Sequence, residues 1–302
     1  MKDFPSCFGE NGVQVSHQAS SSSSSSEANI TSSKIAQNLV TCVYQCRMRD
    51  LSCFIITLTW TKNLMGQNLS VVIDDSDNQC LCKLDIKPWL FAKRRGYRNL
   101  EVASKLIDVY WDLSYAKFGS SSPEPLEAYY FAIAINQEIV LLLGDMEKEV
   151  HKKIDVTSKV PNVVFVSKRA HISGKKAYST RAQFCGNGQI HDILIECDTL
   201  GTNDSYLLIR IDGAPVMQVK CLRWKFRGNY TILVDGLPVE VYWDVHSWLF
   251  EKLMGNAVFL FKTCLSAEKL CANDDSYPSW SSKDRQSQAL GFSLVLCAWK
   301  NE

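Results

Sequence analysis

Five histidines and twelve cysteines are the side chains best suited to acid–base, nucleophilic or metal chemistry in this 302-residue chain. None sits in a pattern that such chemistry requires. The G-x-S-x-G elbow, the phosphate-binding P-loop, the H-E-x-x-H zinc helix and the G-x-G-x-x-G dinucleotide loop are all missing. His191 is followed directly by Asp192, and on a strand neighbouring side chains point to opposite faces, so the two do not form an oriented base–acid pair. His246 follows Asp244 at the same-face spacing. With a nucleophile such as Ser114 or Cys221 opposite, it could act as a general base. His17 lies in a serine-rich arm. Among the cysteines no C-x-x-C pair occurs, and neither Cys42/Cys46 nor Cys80/Cys82 has a partner pair at zinc-site spacing. The adjacent acids Asp74-Asp75 and Asp274-Asp275 read as solvated turn residues. The expectation is a protein without metal, cofactor or catalytic centre, with a cryptic hydrolase or transferase built on His246 or His191 as the enzymatic alternative.

One stretch has the composition of a binding site. Ser167 to Phe184 contains Lys168, Arg169, His171, Lys175, Lys176 and Arg181 with no acid, and interleaves Tyr178 and Phe184. Clustered cations attract phosphate, whether on a lipid headgroup, a nucleic acid or a phosphoprotein. The competing reading is an edge strand whose lysines discourage edge-to-edge pairing. A smaller basic knot, Lys93-Arg94-Arg95, stands before Gly96. Overall, 33 Lys and Arg against 32 Asp and Glu leave a formal charge of +1. That balance argues against a dedicated nucleic-acid binder.

The elements that would carry these residues are strands. With 46% hydrophobic and 22% charged residues the composition is globular. Residues 1–35 stand apart: the unbroken run Ser20 to Ser26 cannot bury enough apolar surface to offset its ordering entropy, so a disordered arm is expected. Beyond it, Cys53 to Trp60 is a dense β-forming run. Asn187-Gly188, Asp212-Gly213 and Asp235-Gly236 each separate two apolar-alternating segments, the signature of tight hairpins. The apolar segment Tyr129 to Leu143 is broken by Asn136-Gln137-Glu138 and reads as two strands and a turn. No apolar run is long enough to span a bilayer as a helix.

Two stretches echo each other. Leu106-Ile-Asp-Val-Tyr-Trp-Asp-Leu113 matches Pro238-Val-Glu-Val-Tyr-Trp-Asp-Val245. Ile73-Asp74, Trp89-Leu90-Phe91 and Arg95-Gly96 are answered in order by Ile211-Asp212, Trp224-Lys225-Phe226 and Arg227-Gly228. The pattern predicts a first β unit over 36–145, a linker with a short helix over 146–161, and a second β unit over 162–302. The fold class expected is mostly β: a duplicated antiparallel β-sandwich or barrel-like meanders. Alternation places Ile107, Val109, Trp111 and Leu113 inside, with Asp108, Tyr110 and Asp112 outside. It likewise buries Leu222, Trp224 and Phe226 on the strand that follows Val216. Trp89, Trp111, Tyr110, Trp224, Trp243 and Tyr242 are candidates to line a ligand cavity, and Trp60 belongs with the interior tryptophans.

The opening Met1-Lys-Asp-Phe-Pro-Ser-Cys-Phe-Gly-Glu10 has neither the apolar core of a secretory signal nor the Arg-rich pattern of a transit peptide. The expected compartment is the cytosol or nucleus, where thiols stay reduced.

The segment Phe4-Pro-Ser-Cys-Phe-Gly-Glu-Asn-Gly-Val-Gln-Val15, Asn63-Leu-Met-Gly-Gln67, Cys82-Lys-Leu-Asp-Ile-Lys-Pro-Trp89 and Gly188-Gln-Ile-His-Asp192 form a recognisable set. Trp224-Lys-Phe-Arg-Gly-Asn229 and Ile232-Leu-Val-Asp-Gly-Leu237 extend it. Together they resemble a land-plant family known as domain of unknown function 868, over nearly the whole chain. The resemblance implies a plant source and carries no activity, cofactor or site residue with it. The function expected is therefore that of a non-enzymatic β-rich protein binding a small apolar ligand or a partner protein. Recruitment to an anionic membrane or phosphoprotein through 168–181 is the alternative.

Overall fold

A computed structural model describes residues 38–48, 50, 52–64, 66–87, 94–102, 104–119, 122–152, 162–174, 176–185, 188–198, 205–251, 255–263 and 291–300. The serine-rich arm, Trp89, Lys93, Lys175 and the Asn187 hairpin tip lie outside these residues.

The first half opens with a meander of β1 (Asn38–Arg47), β2 (Cys53–Asn63), β3 (Gly66–Asp75) and β4 (Cys80–Ile86). The Cys53–Trp60 run buries every second residue: Phe54, Ile56, Leu58 and Trp60 point inward. β5 (Arg95–Val102), β6 (Lys105–Asp112), β9 (Tyr130–Ile135) and β10 (Glu138–Gly144) form a second sheet in the order β10-β9-β6-β5. Between β6 and β9, β7 (Lys117–Phe118) and β8 (Pro125–Glu127) make a small strap. Asn136 and Gln137 take positive φ at the β9–β10 turn. All six residues of β9 are buried, because α1 (Glu147–His151) lays Val150 against the far side of its sheet.

The second half also contributes strands to two sheets. β11 (Asn162–Gly174) is followed by a sheet of β12 (Ala177–Gln183), β13 (Ile190–Asp198), β14 (Tyr206–Ile211) and β15 (Ala214–Lys220). Then come β16 (Arg227–Val234), β17 (Leu237–Asp244), α2 (His246–Phe250), β18 (Asn256–Thr263) and β19 (Ser293–Lys300). Asp212-Gly213 and Asp235-Gly236 both have two consecutive positive φ angles, the type I′ geometry that matches strand twist.

The halves are not separate sheets. β11 pairs antiparallel with β1 on one side and parallel with β19 on the other, giving one nine-stranded sheet, β16-β17-β18-β19-β11-β1-β2-β3-β4. The β11–β19 pair is the one parallel pairing among the described strands. Register places Val40 opposite Ala170 and Ala170 opposite Leu296, so the inward face is continuous across the join. The two four-stranded sheets cover that face. Lys105 of β6 lies 4.5 Å over the Phe54 ring of β2. Tyr178 of β12 stacks on Trp248 at 4.8 Å, and Trp248 in turn meets Phe259 of β18. One contiguous apolar core results. This is an open antiparallel sandwich, not a closed barrel.

The echoed segments adopt the same local structure. Gly96 lies opposite Trp111, and Gly228 opposite Trp243. Each indole lies flat over its glycine, so a methyl group there would overlap the ring. Glycine in a strand costs conformational entropy, and the covering aromatic compensates by shielding the bare backbone. Beside them Arg95 pairs with Asp112 at 3.7 Å and Arg227 with Asp244 at 2.7 Å. Asp112 and Asp244 each accept a backbone N–H two residues on, from Ser114 and His246.

Two expectations fail in detail. Trp224 is not interior; it is 88% exposed. The strand ends at Lys220 because Cys221 takes a φ of 56°, and the chain folds into a turn in which Trp224 and Lys225 donate to the Cys221 carbonyl. Leu222 is buried as expected. On β6, Asp108 and Asp112 are buried rather than wetted. Asp108 accepts hydrogen bonds from the Tyr97 hydroxyl at 2.7 Å and the Asn99 amide at 2.6 Å, which supply what water would have supplied.

Gly228→Ala should destabilise the protein by about 1–3 kcal/mol in chemical denaturation, the usual result of forcing atoms into a packed contact. In a Trp243→Leu background, with the ring gone, the same substitution should cost much less.

Candidate functional site

Among the described residues lies a cleft of about 630 Å³. It lies where the two covering sheets meet above the β1–β11 join. β10 packs on β1 and β11 from one side, and β12 follows β11 on the other. The floor is the inward face of the join: Val40, Cys42 and Tyr44 of β1, with Phe165, Lys168 and Ala170 of β11. One wall is the β7–β8 strap with Tyr129 and Leu143; the other is Ser179 to Gln183 of β12, with Ile193 of β13. Leu126, Arg181, Ile190 and Asp192 are exposed and mark the mouth.

A register shift between Val43 and Tyr44 brings Tyr44 and Phe165 onto the floor, with their rings stacked at 4.9 Å. Trp60 adds a third aromatic face from β2. Into this apolar surface the fold sets one ion pair. Lys168, whose side chain is 7% exposed, donates to Glu124 of the strap at 2.5 Å. Glu124 also accepts from the Cys42 thiol at 3.4 Å and the Ser122 hydroxyl at 3.3 Å.

The neighbouring ionisable groups are neutral at physiological pH. Burial, reinforced by the Glu124 charge, pushes the Cys42 thiol well above its usual range. Burial and neighbouring acidic groups do the same to the Tyr44 phenol. The Tyr129 phenol is pushed up to about 12 by burial and by Glu124. Burial and the nearby Arg169 hold His171 below its ordinary value. The cleft thus offers aromatic surface and one buried cation–anion pair, with a second pair, Arg181–Asp192, exposed at its mouth.

The basic segment is dispersed by strand alternation. Lys168 points into the cleft, while Arg169 is exposed. His171 lies at the cleft and stacks on Trp299 at 5.1 Å. Lys176 pairs with Asp198 at 3.2 Å, and Arg181 with Asp192 at 3.5 Å. Of the ligand-lining candidates, Trp111 and Trp243 cover their glycines. Tyr110 packs against Tyr97, with ring centroids 4.7 Å apart. The Tyr242 hydroxyl donates to Glu240 at 2.8 Å. Trp224 stands in solvent. Trp60 lines the cleft.

The histidines named as catalytic alternatives are both engaged. His191 is buried, with Nδ1 2.7 Å from Asp212 and Nε2 2.9 Å from Asp235. These carboxylates come from the two type I′ turns and clasp the ring between the β12–β15 sheet and the β16–β17 hairpin. With both nitrogens committed, the ring has no position left for a nucleophile's proton. Asp192 points the other way, as alternation required. The His246 ring lies between Phe226 and Phe250, at 5.3 and 4.9 Å. No group of three or more His, Cys, Asp or Glu side chains among the described residues could hold a metal ion. No described helix is long and apolar enough to cross a membrane.

Fold and cleft define a β protein of two covering sheets on a shared nine-stranded floor, with the buried Lys168–Glu124 pair beside the aromatic floor of the cleft. Residues 35–300 match the family model of plant proteins of unknown function, DUF868, and the chain belongs to that family. No curated protein and no solved structure matches the chain.

Two outcomes follow from these contacts. Glu124→Ala leaves a buried ammonium unpaired and should cost about 3 kcal/mol, the low end for such a pair because Glu124 keeps 23% exposure. Replacing both partners, Glu124→Leu with Lys168→Met, should recover most of that loss in urea titrations. The second concerns pH. Burial opposes charging His191, but the hydrogen bonds its ring donates to Asp212 and Asp235, with their negative charges, outweigh it and raise its pKa. The clasp therefore contributes fully below the unfolded histidine value, near 6.5, and fades as pH rises through the higher folded value. Wild type should have a higher urea midpoint at pH 5.5 than at pH 8, and His191→Phe should lose most of that difference.

Proposed function

We propose that this protein is a non-enzymatic carrier or receptor for a small apolar, ring-bearing molecule held in the cleft above the β1–β11 join. The observation that carries the reading is the combination of size and lining. A cleft of about 630 Å³ falls within the range of small-molecule sites, and it sets the aromatic faces of Tyr44, Trp60, Tyr129 and Phe165 beside polar groups from the strap and β12. The engaged ring nitrogens of His191 and the neutral state of Cys42 support binding rather than catalysis. We place its action in the cytosol or nucleus, where its many thiols stay reduced. Recruitment through 168–181 is the weaker reading, since Lys168, Lys176 and Arg181 already have acidic partners. We also infer that the two halves arose by duplication; the repeated glycine–tryptophan hairpins with their Arg–Asp pairs support this.

The test is a fluorescence titration with the uncharged probe N-phenyl-1-naphthylamine, alongside native mass spectrometry of protein expressed in plant tissue. Expected are saturable one-to-one binding and at least about tenfold weaker binding by Ile172→Trp, which fills the cleft from β11. Non-saturable binding, or equal binding by a folded Ile172→Trp, would overturn the reading.

A further inference from the structure

The Lys168–Glu124 pair narrows the ligand class, an inference that rests on the cleft being the binding site. A lysine ammonium has three N–H donors, and among the described residues one of them goes to Glu124. Glu124 accepts from Lys168, Cys42 and Ser122 and has lone-pair capacity beyond these. Both groups line the cleft, and the Lys168 side chain is 7% exposed. A ligand that covers them must answer both a donor and an acceptor, because a buried polar group left without a partner is costly. A pure hydrocarbon answers neither. A carboxylate answers Lys168 but sets a second negative charge beside Glu124, which already neutralises that ammonium. The other basic groups of the lining offer little compensating charge: burial and the nearby Arg169 hold His171 below its ordinary value, and Arg181 at the mouth is paired with Asp192. A hydroxyl group is both donor and acceptor and brings no charge. It can accept from Lys168 and donate to Glu124 without parting them.

We propose that the cleft takes an uncharged, ring-bearing molecule carrying a hydroxyl group, with the hydroxyl seated between Lys168 Nζ and the Glu124 carboxylate and the rings against Tyr44, Phe165 and Trp60. The ion pair then sets specificity, and the aromatic floor supplies affinity. Ser122 and Cys42 hold Glu124 in place to receive the ligand's proton.

Three probes of one shape separate the possibilities: 2-naphthol, 2-naphthoate and 2-methylnaphthalene, titrated at pH 7 by displacement of N-phenyl-1-naphthylamine from the full-length protein. The expected order places 2-naphthol at least about tenfold tighter than either of the others. Equal affinity for 2-methylnaphthalene would overturn the hydroxyl assignment while leaving the cleft as a binding site. So would tighter binding of 2-naphthoate, which would make Lys168 an anion receptor. Failure of the reporter and all three probes to bind would remove the cleft reading itself. The double variant Glu124→Leu, Lys168→Met, which replaces both charges together, should bind 2-naphthol and 2-methylnaphthalene within about threefold of each other. Retention of the wild-type preference by that folded variant would show the hydroxyl is read elsewhere and overturn the assignment.

Discussion

Strand β11 is bonded along both edges, to β1 in one direction and to β19 in the other, and the remaining architecture follows from that double pairing. A sheet edge that is left open presents unpaired backbone groups, so a protein made of two meanders has to cover or join its edges. Here one edge from each half is joined through a shared strand. The result is a floor wide enough for two covering sheets. Those two sheets meet above β1 and β11 without merging into one sheet. The cleft lies at that meeting. Its aromatic floor is the inward face of the joining strands, and its ion pair fastens the floor to the strap.

Local structure was written plainly in the sequence, because its determinants are local. Asp-Gly pairs tolerate positive φ, and both such turns form where expected. The Cys53–Trp60 alternation buries its predicted face. Even the echo of Leu106–Leu113 in Pro238–Val245 marked equivalent hairpins, with a glycine under each tryptophan. Where a strand reading went astray, as at Trp224, the cause was a backbone reversal at Cys221, a residue type with no special turn preference.

The site was far less legible, because it depends on pairings between distant segments. Lys168 was visible as one of a run of cations, but its partner Glu124 lies on a strap 44 residues earlier. Nothing in the spacing of either residue announces the other. A contiguous basic stretch invited the picture of a charged patch; alternation instead sent Lys168 inward and Arg169 outward, and β13 neutralised two more. His191 was read against its neighbour Asp192, whereas its two carboxylates come from hairpin tips 21 and 44 residues away. The tips were predicted as turns; their meeting over one imidazole required the sheets to be stacked first.

The parallel β11–β19 pairing also has a consequence for how the protein is made. β11 leaves the ribosome able to pair with β1 at once, but its other edge waits until β12 to β18 have been synthesised and β19 follows. Contacts this distant in sequence form slowly, since a long loop must close before they contribute. Throughout that interval the nascent chain displays an open strand in the middle of its eventual sheet, flanked by Phe165, Ala170 and Ile172. Chaperone demand and truncation sensitivity should therefore concentrate on the last strand to arrive, far in sequence from the sheet edge it covers.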